Sequence, residues 1–140
     1  MFNKILLAVD GSEHALHAAQ VAGELARAVH AHELRIVVAY EPIPAYLGEP
    51  NLQNTINARL AESKDVLQEA ENTIGEIFTP TQAEMIEGPI AEAIINVAKT
   101  QHSDLIVMGS RGLGRFAGAV LGSNSQKVVS EAPCPVLIVR

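Results

Sequence analysis

The chain has a single cysteine, Cys134, among 140 residues. No internal disulfide framework is therefore possible. Excess positive charge is also missing: 10 Lys and Arg face 16 Asp and Glu, for a net charge of −6. A nucleic-acid surface needs a basic face to neutralise phosphates, so broad nucleic-acid binding is not expected. No stretch approaches the roughly 18 consecutive apolar residues of a spanning helix, so no membrane insertion is expected. The opening apolar run Ile5–Val9 ends in Asp10, too short for a secretory leader and without a small-residue cleavage pattern. The expectation is a cytoplasmic protein. No internal repeat, low-complexity tract or linker is evident.

Apolar residues make up 48% of the chain and charged residues 19%, enough for a sizeable core in one domain covering residues 1–140. The pattern alternates. Ile5 to Val9 is a continuous apolar run closed by the turn signal Asp10-Gly11-Ser12, which predicts a buried strand. A helical stripe follows from Glu13 to Ala31, through Ala15, Ala18, Ala22 and Leu25. Leu34 to Ala39 predicts a second strand. Tyr40 to Leu52 carries Pro42, Pro44, Gly48 and Pro50 and reads as a loop. A long helix is expected from Thr55 to Phe78, barred from continuing by Pro80. Thr81 to Ile86 predicts a weak third strand, with Ala83 and Met85 on one face. Pro89 opens a helix at its first position, carried on by Ile90, Ile94 and Val97. Leu105 to Met108 is a fourth strand, Ser123 to Ala132 a short helix, and Val136 to Val139 a fifth strand.

Strands alternating with helices imply βαβ units and a mostly parallel sheet. Strands apolar on both faces fit a sheet covered by helices on both sides. Right-handed crossovers then give a doubly wound α/β sandwich. Periodicity does not set the strand order.

The segment Gly109 to Ser123 carries the chemistry. It holds five of the ten glycines, follows a buried strand and leads into a helix. Glycines let backbone N–H groups approach a ligand closely, and a helix start offers free amides and a positive dipole end to an anion. Arg111 and Arg115 add positive charge in an acidic chain. Phosphate is the natural guest. The P-loop pattern fails, because Arg115 and Phe116 stand where Lys and Ser/Thr belong. The dinucleotide fingerprint fits Gly112, Gly114 and Ala117, but only one more strand follows it.

The pattern Gly-x2-Gly-x9-Gly-Ser is met at Gly109, Gly112, Gly122 and Ser123. With it the chain resembles the ATP-binding branch of the universal stress protein family. The opening Ile5-Leu6-Leu7-Ala8-Val9-Asp10-Gly11-Ser12 is similar to that family's first strand and turn. Asp104 to Gly109 resembles its fourth strand, and Pro133 to Val139 its closing strand. The resemblance implies a five-stranded parallel sheet of order 3-2-1-4-5, with a ligand crevice between strands 1 and 4. By the same resemblance Asp10 would contact the nucleoside end and Val38 would line the adenine site. Met108 and Gly109 would sit beside ribose and base, and Gly112, Gly122, Ser123 and Asn124 would hold phosphates, with Arg111 beside them. ATP, with Mg2+, is the implied cofactor.

Each of these residues also has a plainer role open to it. Asp10 before Gly-Ser also fits a simple turn residue, but beside the glycine pattern ligand contact is the reading favoured. Arg111 and Arg115 serve as solvated surface charges. His14 and His17, at i and i+3, have no second ligand pair and read as surface histidines. Cys134 reads as an inert, partly buried thiol.

The function expected is nucleotide-dependent regulation in a stress response, through a regulatory protein partner. The alternatives are a slow ATPase or phosphotransferase and, further off, a dinucleotide- or flavin-binding module. The resemblance also implies a homodimer through the strand Val136–Val139.

Overall fold

The computed structural model describes residues 1–111 and 121–140. Its strands are β1 (Lys4–Ala8), β2 (Glu33–Tyr40), β3 (Thr81–Glu87), β4 (Leu105–Gly109) and β5 (Val136–Val139). Its helices are α1 (Glu13–Val29), α2 (Asn51–Ile74), α3 (Ile90–Thr100) and α4 (Ser123–Glu131). The sheet has the order β3-β2-β1-β4-β5, and every pairing is parallel. This is the expected doubly wound α/β architecture. In β1, Leu7 lies between Ile36 of β2 and Val107 of β4.

Two cores flank the sheet because side chains alternate along each strand. Ile5, Leu7 and Val9 join α1 and α2 on one face. Leu6 and Ala8 join α3 and Val128 of α4 on the other. Leu6, Leu7, Leu34 and Ile36 are fully buried, each side chain contributing about 1.5–3 kcal/mol of burial free energy. The edge strands are thinner. In β3 the expected pair Ala83 and Met85 does share a face, but that face is exposed. Ile86, on the other face, packs into the core.

Small residues bring α1 close to the sheet: Ala15, Ala18, Ala19, Ala22 and Ala26 are all buried on its inner face. Ser12 caps the helix, its hydroxyl accepting the Ala15 N–H at 3.2 Å. His30 closes it in the left-handed region at φ 55°, where a local turn of this kind is a common helix stop.

Helix α2 differs from its expected bounds at both ends. It begins at Asn51, directly after Pro50, rather than at Thr55. It stops at Ile74, well before Phe78, because Gly75 takes φ 71° and its N–H returns to the Glu71 carbonyl at 3.0 Å. Pro80 is therefore not the breaker. Arg27 reinforces the stop by donating to the Ile74 carbonyl at 2.6 Å, a cation at the negative end of the helix dipole.

Candidate functional site

In this strand order the chain leaves β1 and β4 toward opposite sides of the sheet. Such a reversal opens a crevice outside the carboxyl ends of the strands. A cavity of about 520 Å³ lies there, within the range of small-molecule sites. Its walls come from the turn after β1, the end of β2, the exit of β4, the start of α4 and one side of α2.

The turn after β1 is held by its own side chains. The Asp10 carboxylate accepts the Ser12 N–H at 2.9 Å, so Asp10 does serve as a turn residue while also facing the cavity. Gly11 sits at φ 86°, and an added Cβ would meet Val66 Cγ2 at 3.2 Å. The backbone there requires glycine, and α2 passes directly over it. The Ser12 hydroxyl also donates to the Arg111 carbonyl at 3.4 Å. The capping residue of α1 is thereby tied to the exit of β4.

That exit is tightly constrained. A Cβ on Gly109 would lie 2.9 Å from the carbonyl carbon of His14 and 3.0 Å from the Ala15 nitrogen. Only glycine lets the first turn of α1 pack on β4, so Gly109 has a packing reason independent of any ligand. Ser110 follows and acts as a junction. Its N–H donates to the Val139 carbonyl at 2.7 Å, and its carbonyl accepts the Gly122 N–H at 2.8 Å. Its hydroxyl lies 2.6 Å from His14 Nδ1. His14 is thus half-buried rather than a plain surface histidine, whereas His17 is exposed, as expected.

Helix α4 opens on the cavity. Its N-cap is Gly122, which offers no side-chain cap; its φ of −70° is open to any residue. The amides of Ser123, Asn124 and Ser125 find no backbone acceptor among the described residues. These are the orphan donors of a helix start, at the positive end of its dipole. The buried Ser125 hydroxyl donates to the Gly109 carbonyl at 2.9 Å and so fixes the helix start against β4.

Asp10, Val38, Met108, Gly109, Arg111, Gly122, Ser123 and Asn124 all line this one cavity. Gly112 and Arg115 lie outside the described residues. The wall formed by α2 was not anticipated from the sequence: Arg59, Glu62, Ser63 and Val66 line the cavity too. Their spacing of i, i+3, i+4 and i+7 is one helical stripe. Its polar members resemble a solvent-facing helix surface, and nothing in the local pattern distinguishes the two. Ile90 of α3 and Tyr40 of β2 also border the cavity.

The site therefore pairs apolar walls with a concentration of donors. Val38 and Met108 are nearly buried. Arg59, Arg111 and the start of α4 border the same space as Asp10, Glu41 and Glu62. No group of three or more His, Cys, Asp or Glu suited to a metal ion occurs among the described residues.

Comparison with known proteins fits this geometry. The family model described as the universal stress protein family matches residues 1–140. A Thermus aquaticus protein named "Universal stress protein in QAH/OAS sulfhydrylase 3'region" is 50% identical over 140 residues, covering all of both chains. The solved universal stress protein UspA from Lactobacillus plantarum aligns with a TM-score of 0.87 at 26% identity, covering 99% of this chain and 98% of that one. A universal stress protein solved in complex with cAMP aligns with a TM-score of 0.76 at 28% identity, covering 99% of this chain and 97% of that one.

Proposed function

The chain belongs to the universal stress protein family, and from that membership we propose that it binds ATP in the cavity at the carboxyl ends of β1 and β4 and acts through the nucleotide-bound state. The observation that carries this reading is the start of α4, whose first amides find no backbone acceptor among the described residues, on an apolar-walled cavity. An adenine ring suits the apolar wall of Val38 and Met108. Asp10 is the acceptor for the nucleoside's hydroxyl or amino hydrogens. Ser123, Asn124 and Arg111 are donors for phosphate oxygens; Gly112, assigned the same role by the family resemblance, lies outside the described residues. The cAMP complex of a similar protein supports an adenine nucleotide as the class of ligand.

Magnesium fits as part of the nucleotide rather than as a resident ion. Mg2+ commonly uses one or two carboxylates together with substrate phosphates. Asp10 and Glu62, both on the cavity wall, would be the carboxylates for that. The ion would neutralise phosphate charge beside Glu41 and Glu62 in an acidic cleft.

Regulation follows if ATP is held more tightly by one conformation of the glycine segment than by another. A protein partner would then read that conformation. The edge strand β5 is the surface we assign to self-association: it bonds β4 on one side, and its Leu137 is exposed. An unpaired edge strand is a ready template for a second copy. No helix among the described residues is long and apolar enough to cross a membrane.

The test is calorimetric titration of nucleotide-stripped protein with ATP and magnesium, beside Gly122→Val. The backbone at Gly122 accepts valine without strain, since φ is −70°. The branched side chain would crowd the first amides of α4. The expected outcome is binding in the wild type and at least a tenfold loss in the variant, roughly 1.4 kcal/mol, with an unchanged circular dichroism spectrum. Wild-type protein that takes up no ATP would sink the proposal.

A further inference from the structure

Helix α2 places a donor pair in the cleft that nothing so far has used. Ser63 is 3% exposed, lines the cavity, and its hydroxyl has no hydrogen-bond partner among the described residues. Other hydroxyls inside the helices, such as Thr73 and Thr100, bond back to the carbonyl four residues earlier. The hydroxyl opens onto the cavity rather than being sealed from it, so a guest there can bond to it. One turn earlier, Arg59 faces the same cavity. Among the described residues its one ion pair is a weak one, Nε to Glu62 at 3.9 Å, and the Glu62 side chain is 76% exposed. The Arg59 charge is therefore largely available to the cleft.

The position of this pair follows from the fold. Val66, next on the stripe, packs over Gly11 in the turn after β1. Helix α2 leaves the carboxyl end of β2 and returns toward the amino end of β3. Moving back from Val66 to Ser63 and Arg59 therefore leads outward, above Asp10, over about 10 Å of wall. A guanidinium offers donors only, whereas a hydroxyl both donates and accepts. The Arg59 charge with the Ser63 hydroxyl at i+4 suits an anionic oxygen, opposed on the same stripe by the Glu62 carboxylate. The α4 amides and Arg111 already serve one anionic group on the opposite wall.

We infer that Arg59 and Ser63 form a second phosphate clamp, one that reads the number of phosphates on the bound nucleotide. The inference rests on the nucleotide reading above and adds a specificity to it. A nucleoside triphosphate reaches from the α4 amides to Arg59, whereas a monophosphate engages the α4 amides alone. The site is thus selective for triphosphate over monophosphate because two walls share the charge.

The test is titration of wild-type protein, Arg59→Ala, Arg59→Lys and Ser63→Ala with ATP, ADP and AMP in magnesium buffer, with circular dichroism as the folding control. Arg59→Ala should weaken ATP binding about 10- to 100-fold, ADP less, and AMP least. The ATP-to-AMP preference thus collapses. Arg59→Lys should restore part of that preference, as a point charge without the planar fork. Ser63→Ala should cost about fivefold for ATP, with the same ordering. An equal loss for all three nucleotides would overturn the inference, because α2 would then act on the nucleoside or on folding. An unchanged preference in Arg59→Ala would overturn it as well. In both of those cases wild-type binding still upholds the nucleotide reading. A wild type that binds none of the three overturns both.

Discussion

The two ends of the sheet treat their polar groups in opposite ways. At the amino ends of the strands they are largely spent on one another, with the buried Arg35 Nε alone left without a partner among the described residues. The Asp104 carboxylate accepts the N–H of Asn3 at 2.8 Å and of Lys4 at 3.1 Å. Arg35, only 8% exposed, divides its terminal nitrogens among Glu84 at 3.1 Å, Glu33 at 3.3 Å and Gln101 at 3.2 Å. At the carboxyl ends donors are left over among the described residues: the α4 amides, the Ser63 hydroxyl and the weakly paired Arg59. One end closes the structure, and the other keeps hydrogen-bonding capacity for a guest. Polar residues are abundant at both ends. What separates a structural end from a binding end is the surplus.

The sharpest way to break this contrast is at Gly109, which belongs to the open end yet is fixed by packing. Gly109→Val forces a side chain into the backbone of His14 and should destabilise the fold by about 3 kcal/mol, read as a lower urea midpoint. Unchanged stability would mean that the close approach of α1 to β4 is not a constraint. At the closed end, Asp104→Ala removes the acceptor of two amides and should cost about 1 kcal/mol in the same measurement. Nucleotide affinity should stay within about twofold, since distant sites act additively. A large loss of affinity there would merge the two ends into one unit.

The smallest effect concerns Cys134. Burial, and then the negative charge of Asp104, push its thiol above the ordinary range. The folded chain therefore keeps the proton longer than the unfolded one. Any stability this contributes is present in full below the unfolded thiol value, near 8.5, and is lost as pH rises through the folded value. Alkylation by iodoacetamide near that pH should be slower in the native protein than in urea. Asp104→Asn should quicken the native reaction by removing the second cause.

Legibility followed the same division. The central strands were readable because strands covered on both faces must be apolar throughout, as Ile5-Leu6-Leu7 and Leu105-Ile106-Val107 are. Both ends of α2 were misplaced. Proline is the louder signal, but Gly75 and Pro50 set the limits. The turn after β1 and the start of α4 were legible because glycine spacing and capping residues act locally. Ser63 and Arg59 were not, since a polar stripe looks the same whether it meets solvent or a cleft. Neither was the His14–Ser110 contact, which joins residues 96 positions apart.

The Ser110 junction also governs how the molecule breathes. One residue bonds the closing strand through its N–H and the return of the glycine segment through its carbonyl. Neither can come away without loosening the other's anchor. In amide hydrogen–deuterium exchange, the protons of Ser110, Gly122 and β5 should therefore behave as one cooperative opening unit with a shared protection factor. A guest that steadies the start of α4 would slow exchange along a strand it never touches.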